Sequence, residues 1–212
     1  MSLFVTFEGI EGSGKTSHLR RLAAGLRRAG HAVVETREPG GTAAGAALRS
    51  LLLGPEALPL TPLAELFLYC ADRTKHVSEV IRPALDAGRI VLSDRFSDST
   101  IAYQGYGRGL DLDALRTLDA RARDGLAPAL TVLLDCPVEV GLARTRGRED
   151  AAAQPDRFER ETVEFHERVR RGFYALAAAE PWRFCVLDAT RPIDEVGAGL
   201  LAEVQHRLGG AR

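Results

Sequence analysis

Short apolar runs alternate with longer amphipathic stretches along this chain, and that rhythm predicts its architecture. Leu3 to Phe7, Ala32 to Thr36, Ile90 to Leu92, Leu130 to Asp135 and Phe184 to Asp188 read as strands. Their near-continuous apolar character suits a parallel sheet buried on both faces. Apolar residues at three- and four-residue spacing between them predict helices over 17–29, 44–53, 61–86, 111–124, 158–179 and 193–208. Shorter helices are expected from Ser97 to Tyr103 and from Pro137 to about Arg144, whereas 104–109 is too glycine-rich to stay regular. Five strands alternating with helices predict an α/β fold, a three-layer sandwich with a five-stranded parallel sheet, helices on both faces and right-handed crossovers. No repeat or linker divides 1–212, so one domain is expected. The stretch 145–155 offers little to bury and reads as a flexible flap, with the lid as a whole spanning about 144–157.

The first strand runs into Gly9-Ile10-Glu11-Gly12-Ser13-Gly14-Lys15-Thr16, which matches the pattern G-x-x-x-x-G-K-[S/T] at every fixed position. A strand, a glycine-rich turn and a helix N-terminus aim free N–H groups and a positive dipole at one anion. Lys15 would then reach the outer phosphates of a nucleotide, and Thr16 would hold Mg²⁺. Asp94, at the end of the third strand, fits a carboxylate near that ion, and Arg95 beside it would meet phosphate.

Other candidates cluster at strand ends, where open α/β sheets bind ligands. Arg37 opens the loop Arg37-Glu38-Pro39-Gly40-Gly41-Thr42 and can meet an anion, although a solvated loop arginine has the same appearance. Tyr69 and Arg73 share a helix face and could stack on and bond a planar base; on spacing alone, a core-edge Tyr beside a surface Arg is the plainer reading. Arg108, Arg144, Arg146 and Arg148 supply further guanidinium groups. Glu11 is the odd residue of the loop. It would repel a triphosphate unless it points away, either into solvent or toward a second substrate.

Composition narrows the function. The chain is 45% hydrophobic and 27% charged, with a net charge of −1, so neither nucleic acid nor an anionic membrane is an expected partner. No signal peptide precedes the first strand and no apolar run is long enough to span a bilayer. Cys70, Cys136 and Cys185 fit no metal spacing and suggest reduced thiols and a cytoplasmic location. The only lysines are Lys15 and Lys75, which makes a lysine in the phosphate-binding position more telling than any single arginine. There is no Asn, so the usual guanine-reading motif Asn-Lys-x-Asp is missing and a GTPase is disfavoured.

The loop Gly9 to Thr16, Arg37 to Thr42, Asp94-Arg95-Phe96, Tyr103-Gln104-Gly105 and Asp156-Arg157-Phe158-Glu159 occur in that order, and together they resemble the bacterial thymidylate kinases, P-loop nucleoside monophosphate kinases, over essentially the whole chain. The resemblance implies a P-loop kinase fold, a homodimer, and transfer of a phosphoryl group from ATP to dTMP with Mg²⁺. It implies that Gly9 to Thr16 bind ATP phosphates, with Arg144 and Arg191 flanking adenine. Arg37 and Arg95 would hold the acceptor phosphate, and Tyr69, where the family usually has Phe, would stack on thymine. Arg73 would bond a base carbonyl, Thr100 and Gln104 would lie by the base, Tyr103 would lie against the sugar, and Glu11 would sit near the 3′-hydroxyl. Because Ile10, Glu11 and Ser13 are not basic, the catalytic arginine is expected in the lid, from Arg146 or Arg148. Another small P-loop kinase, acting on a different nucleotide or a hydroxyl acceptor, and a nucleotide-binding module without turnover remain the alternatives.

Overall fold

The computed structural model describes residues 2–54, 59–147 and 157–209. Its strands are β1 (Leu3–Glu8), β2 (Val33–Arg37), β3 (Ile90–Asp94), β4 (Leu130–Asp135) and β5 (Phe184–Asp188), all parallel, in the order β2-β3-β1-β4-β5. The strand next after β1 in space is β3 on one side and β4 on the other, so the chain reverses its winding beside β1 and leaves a crevice at that strand's C-terminal end. The first helix, α1 (Lys15–Arg28), starts there, two residues earlier than expected.

Strand alternation sorts the interior into two layers. Val5 and Phe7 of β1, with Ile90 and Leu92 of β3, face the larger apolar cluster; Phe4 and Val91 face a smaller one. Apolar groups thus lie on both sheet faces, as the near-continuous strands predict. The smaller layer turns polar where the middle of β1 meets the beginnings of β4 and β5. Thr6 meets Thr131 at 3.1 Å, Thr131 donates to Asp98, and Arg183 grips Asp98 through two nitrogens at 2.7 and 2.8 Å.

The remaining helices are α2 (Ala43–Leu53), α3 (Pro62–His76), α4 (Arg82–Asp86), α5 (Ser97–Thr100), α6 (Leu112–Ala122), α7 (Val138–Arg146), α8 (Val163–Ala179) and α9 (Ile193–Gly209). Three of them depart from the sequence reading for identifiable reasons. The helix expected over 61–86 does run through, with Thr61 as N-cap, but a widened π-helical turn, Val77–Ile81, joins α3 to α4. Pro83 has no N–H to give and its ring would press on the carbonyl four residues back, so the wider turn absorbs the misfit.

Of the stretch 104–109, expected to be irregular, the first four residues instead continue a π-helical segment that runs from Ile101 to Gly107. Its glycines serve close packing: a Cβ on Gly105 would lie 2.5 Å from Leu112, and one on Gly107 would lie 2.8 Å from Phe165. Finally, α8 begins at Val163, where Thr162 caps it by accepting from the Phe165 amide, five residues later than expected. Phe158 instead packs in a turn against Tyr103, ring to ring at 5.0 Å.

The polar layer yields a stability prediction. Arg183→Ala leaves the buried Asp98 carboxylate without its cation and costs about 3 kcal/mol or more, read as a lower urea midpoint. Arg21→Ala, which breaks the exposed pair with Asp194, changes the midpoint by no more than about 0.5 kcal/mol equivalent.

Candidate active site

A cavity of about 900 Å³ lies across the C-terminal ends of β1, β2 and β3. One end is lined by Gly12 to Thr16, Arg144 and Arg191; the other by Tyr69, Arg73, Thr100, Tyr103 and Gln104, with Arg37, Asp94 and Arg95 between. Of the residues expected at the site, Gly9, Ile10 and Arg146 do not line this cavity: Ile10 is buried in the core, and Arg146 closes α7 with an exposed side chain. Arg148, Asp156 and most of the lid lie outside the described residues.

The loop after β1 is shaped by glycines with left-handed backbone. Gly9 has φ 137° and a Cβ there would lie 2.4 Å from the Leu134 carbonyl oxygen; Gly12 has φ 71° and a Cβ would lie 2.0 Å from that of Gly141. The Lys15 ammonium donates to the carbonyls of Gly9 (3.0 Å) and Ile10 (2.7 Å) and to Ser13 Oγ (3.3 Å). Burial, with Arg95 nearby, pulls its pKa down to about 8 against the attraction of Asp94, Glu11 and Glu8. Thr16 Oγ1 donates to Asp94 Oδ2 at the loop's rim. No group of three or more His, Cys, Asp or Glu gathers among the described residues to form a metal cage. One hydroxyl and one carboxylate, both hard oxygen donors, do suit Mg²⁺, which keeps much of its water and takes phosphate oxygens for the rest.

Arg95 sits at the middle of the cavity. Its backbone is left-handed, φ 70°, and its amide donates to Phe7 O at 3.0 Å. The guanidinium donates to Gly9 O (3.0 Å), Ser99 Oγ (3.0 Å), Glu11 Oε1 (2.9 Å) and Tyr103 Oη (3.1 Å). Glu8 supports this corner from below by accepting from the Phe96 amide at 2.8 Å and from Ser99. Burial and the neighbouring Asp98 push the Glu8 carboxyl well above the usual range.

Glu11 does not point into solvent. It is buried, and Tyr103 Oη lies 2.6 and 2.7 Å from its two oxygens. Burial alone would raise its pKa, but Arg95, His166, Lys15 and Tyr103 outweigh that and hold it at about 2.

The plainer reading of Arg73 as a surface arginine is overturned: it is 1% exposed. Nε and Nη2 bond Glu38 Oε2 at 3.0 and 2.9 Å, Nη1 donates to Asp119 at 2.8 Å and Nη2 to Thr100 Oγ1 at 2.8 Å. His76 Nδ1 meets the other Glu38 oxygen at 2.8 Å. These bonds explain the loop Arg37 to Thr42. Glu38 is its anchor on α3, the Gly40 amide donates to Asp72, Gly41 leaves no room for a Cβ against His76, and Thr42 caps α2. Arg37 is left exposed at the cavity edge.

Arg108 is not part of the cavity lining. It pairs with Glu161 at 2.6 Å and approaches Glu65, stacked over Phe165. Arg144 donates to Ala189 O at 2.9 Å and Arg191 pairs with Glu195, both at the phosphate-loop end. The sequence reading passed over Glu8, Glu38, Glu65, Asp119 and His166. Asp119 and His166 each sit on a buried helical stripe, with Leu115 and Ala122 or with Phe165 and Val169, and an ionisable residue on an apolar stripe is the available signal.

The family model described as thymidylate kinase matches residues 7–199. A thymidylate kinase from Desulfovibrio desulfuricans is 55% identical over 197 residues, covering 92% of this chain and 91% of that one. One from Deinococcus radiodurans is 54% identical over 205 residues, 97% of each. Among solved structures, the crystal structure of thymidylate kinase from Ehrlichia chaffeensis superposes with a TM-score of 0.77 at 37% identity, covering 96% of this chain and 98% of that one.

The Lys15 environment predicts a pH dependence. Lys15 loses its proton as pH rises through about 8, so calorimetric ADP affinity holds steady up to that point and weakens above it. Lys15→Arg, whose cation does not titrate in this range, removes the inflection; a flat wild-type profile up to about pH 9.5 contradicts the assignment.

Proposed function

We propose a division of labour among these side chains from one premise: the chain belongs to the thymidylate kinase family, and its reaction is the ATP-dependent phosphorylation of dTMP to dTDP. The observation that carries the assignment of roles is that Arg95 bonds both the phosphate loop, at Gly9 and Glu11, and the acceptor wall, at Ser99 and Tyr103.

Gly9 to Thr16 bind the ATP phosphates, with Lys15 on the outer ones. Arg144 and Arg191, at the same end, flank adenine. Thr16 and Asp94 hold Mg²⁺, whose contribution when bound is to neutralise phosphate charge. Arg37 and Arg95 receive the acceptor phosphate. Tyr69 stacks on thymine, Arg73, Thr100 and Gln104 address its polar edge, and Tyr103 lies against the sugar, disfavouring a 2′-hydroxyl. Glu11 accepts from the 3′-hydroxyl.

Charge dictates the mechanism. The nucleophile is an oxygen of the acceptor's own phosphate, whose second pKa of about 6 leaves it mostly dianionic at neutral pH. No general base is needed. Glu11, held at about pKa 2, would be a poor one, which argues against a hydroxyl acceptor. The obstacle is repulsion between two polyanions: each pair of unit charges at about 4 Å costs about 1 kcal/mol in water and several-fold more in a drier site. Lys15 and Arg95 offset it, and Arg146 and Arg148 complete the neutralisation when the lid closes. Closure also excludes water that would otherwise accept the phosphoryl group.

A homodimer is part of the proposal. Leu63 and Phe67 project from α3 at 49% and 51% exposure, an apolar face suited to a second subunit. The three thiols are unpaired, which supports a reducing, cytoplasmic setting, and no helix among the described residues is long and apolar enough to cross a membrane.

Steady-state rates over a panel of monophosphates show a preference for dTMP; preference for CMP, AMP or GMP contradicts the assignment. Arg146→Ala and Arg148→Ala lower kcat by about two orders of magnitude or more at unchanged thermal stability. Unchanged rates in both variants remove the lid from the catalytic machinery.

A further inference from the structure

His166 is fully buried on α8, and nothing in the roles assigned above uses it. Its Nδ1 lies 3.3 Å from Glu11 Oε2 but is not aligned for a hydrogen bond to it, and neither ring nitrogen has a hydrogen-bond partner among the described residues. A buried imidazole with no partner is costly, so this approach needs a reason. The packing around it is built for the approach. A Cβ on Gly172 would lie 2.8 Å from the Tyr106 ring, and one on Gly107 would lie 2.8 Å from Phe165, so α8 and the π-helical stretch each seat an aromatic ring on a glycine of the other. Phe165 stacks on Phe158 at 6.0 Å and meets the His166 ring edge-on at 5.6 Å. The ring thereby lies against Glu11 of the phosphate loop.

We propose that His166 is a positioning residue for the acceptor sugar: it donates from Nδ1 to Glu11 Oε2 and sets the direction in which that carboxylate receives the 3′-hydroxyl. A carboxylate only accepts, so Nδ1 carries the proton in this contact. The two oxygens of Glu11 offer about four lone-pair directions. Arg95 takes one on Oε1, the single Tyr103 hydroxyl proton, within reach of both oxygens, takes one more, and His166 Nδ1 stands at a third beside Oε2. One acceptor direction is left, and it belongs to the substrate. Without His166, a second direction opens and the carboxylate can rotate about its last bond, which blurs the recognition. At 3.3 Å the two atoms are close enough but poorly aligned, as such contacts often are before the substrate tightens them.

This inference rests on the reading of Glu11 as the 3′-hydroxyl contact, and one experiment separates the two. The ratio of kcat/KM for dTMP to that for 3′-deoxy-dTMP is measured for the full-length wild type, Glu11→Gln, His166→Leu and His166→Gln. The ratio does not depend on the fraction of folded enzyme. The expected result is a large fall for Glu11→Gln and a fall of about tenfold for His166→Leu, carried by KM for dTMP and not by kcat. His166→Gln, which keeps an N–H of similar reach, stays within about twofold of wild type. If Glu11→Gln keeps the wild-type ratio, the sugar reading fails and the proposal falls with it. If Glu11→Gln loses the ratio but His166→Leu keeps it, or if both histidine variants lose it alike, the sugar reading stands and the role of His166 is overturned.

Discussion

The site depends on a single guanidinium held in place by a strained backbone. Arg95 follows β3 in a left-handed conformation that side-chain-bearing residues avoid by about 1–2 kcal/mol. Its neighbours over-determine it: the Arg95 amide bonds Phe7, the next amide bonds Glu8, and Ser99 is shared by Glu8 and the Arg95 head. That geometry swings the side chain back over β1 so that it touches the phosphate loop and the acceptor wall together. In the roles proposed above, two substrates that repel each other meet at a cation whose position is fixed before either arrives. Preorganised charge of this kind needs no rearrangement at the moment of transfer.

A second buried cation, Arg73, does the same for the acceptor end by a different route. Glu38 and Asp119 bracket it, and Phe96 lies under it at 5.3 Å. Removing Arg73 would leave two buried carboxylates without the cation they share, so the loop Arg37 to Thr42 and the helices α3 and α6 are bound into one rigid unit. Phe96 joins the two cations, since its ring supports Arg73 while its amide is fixed by Glu8 beside Arg95. The base-facing and phosphate-facing parts of the cavity are thus built on one short segment, 94–104.

Much of this was legible in the sequence. The apolar strands and the spacing of Gly9 to Thr16 are local signals, and they place the sheet, the loop and the carboxylate Asp94 correctly. Glu11 could be singled out because a carboxylate in an anion-binding loop is electrostatically out of place. Signals that depend on distant partners were less visible. Arg73 looked like a surface residue because Glu38 and Asp119 lie 35 and 46 residues away along the chain. Arg108 looked like an anion receptor and is instead a structural ion pair. The glycines of 104–109 looked like breakers of regular structure, yet Gly105 makes room for Leu112 of α6 and Gly107 for Phe165 of α8. His166 carried no motif at all; only the fold brings it to Glu11.

The central claim is that Arg95 and Glu11 act as one unit that carries the acceptor. A double-mutant cycle with Arg95→Gln and Glu11→Gln, read as dTMP affinity by calorimetry, tests it most directly. The account predicts that the two substitutions are non-additive, with a coupling of about 1 kcal/mol or more. Additive losses within about 0.3 kcal/mol would contradict it, because two independent contacts would then bind the substrate and no clamp would join them.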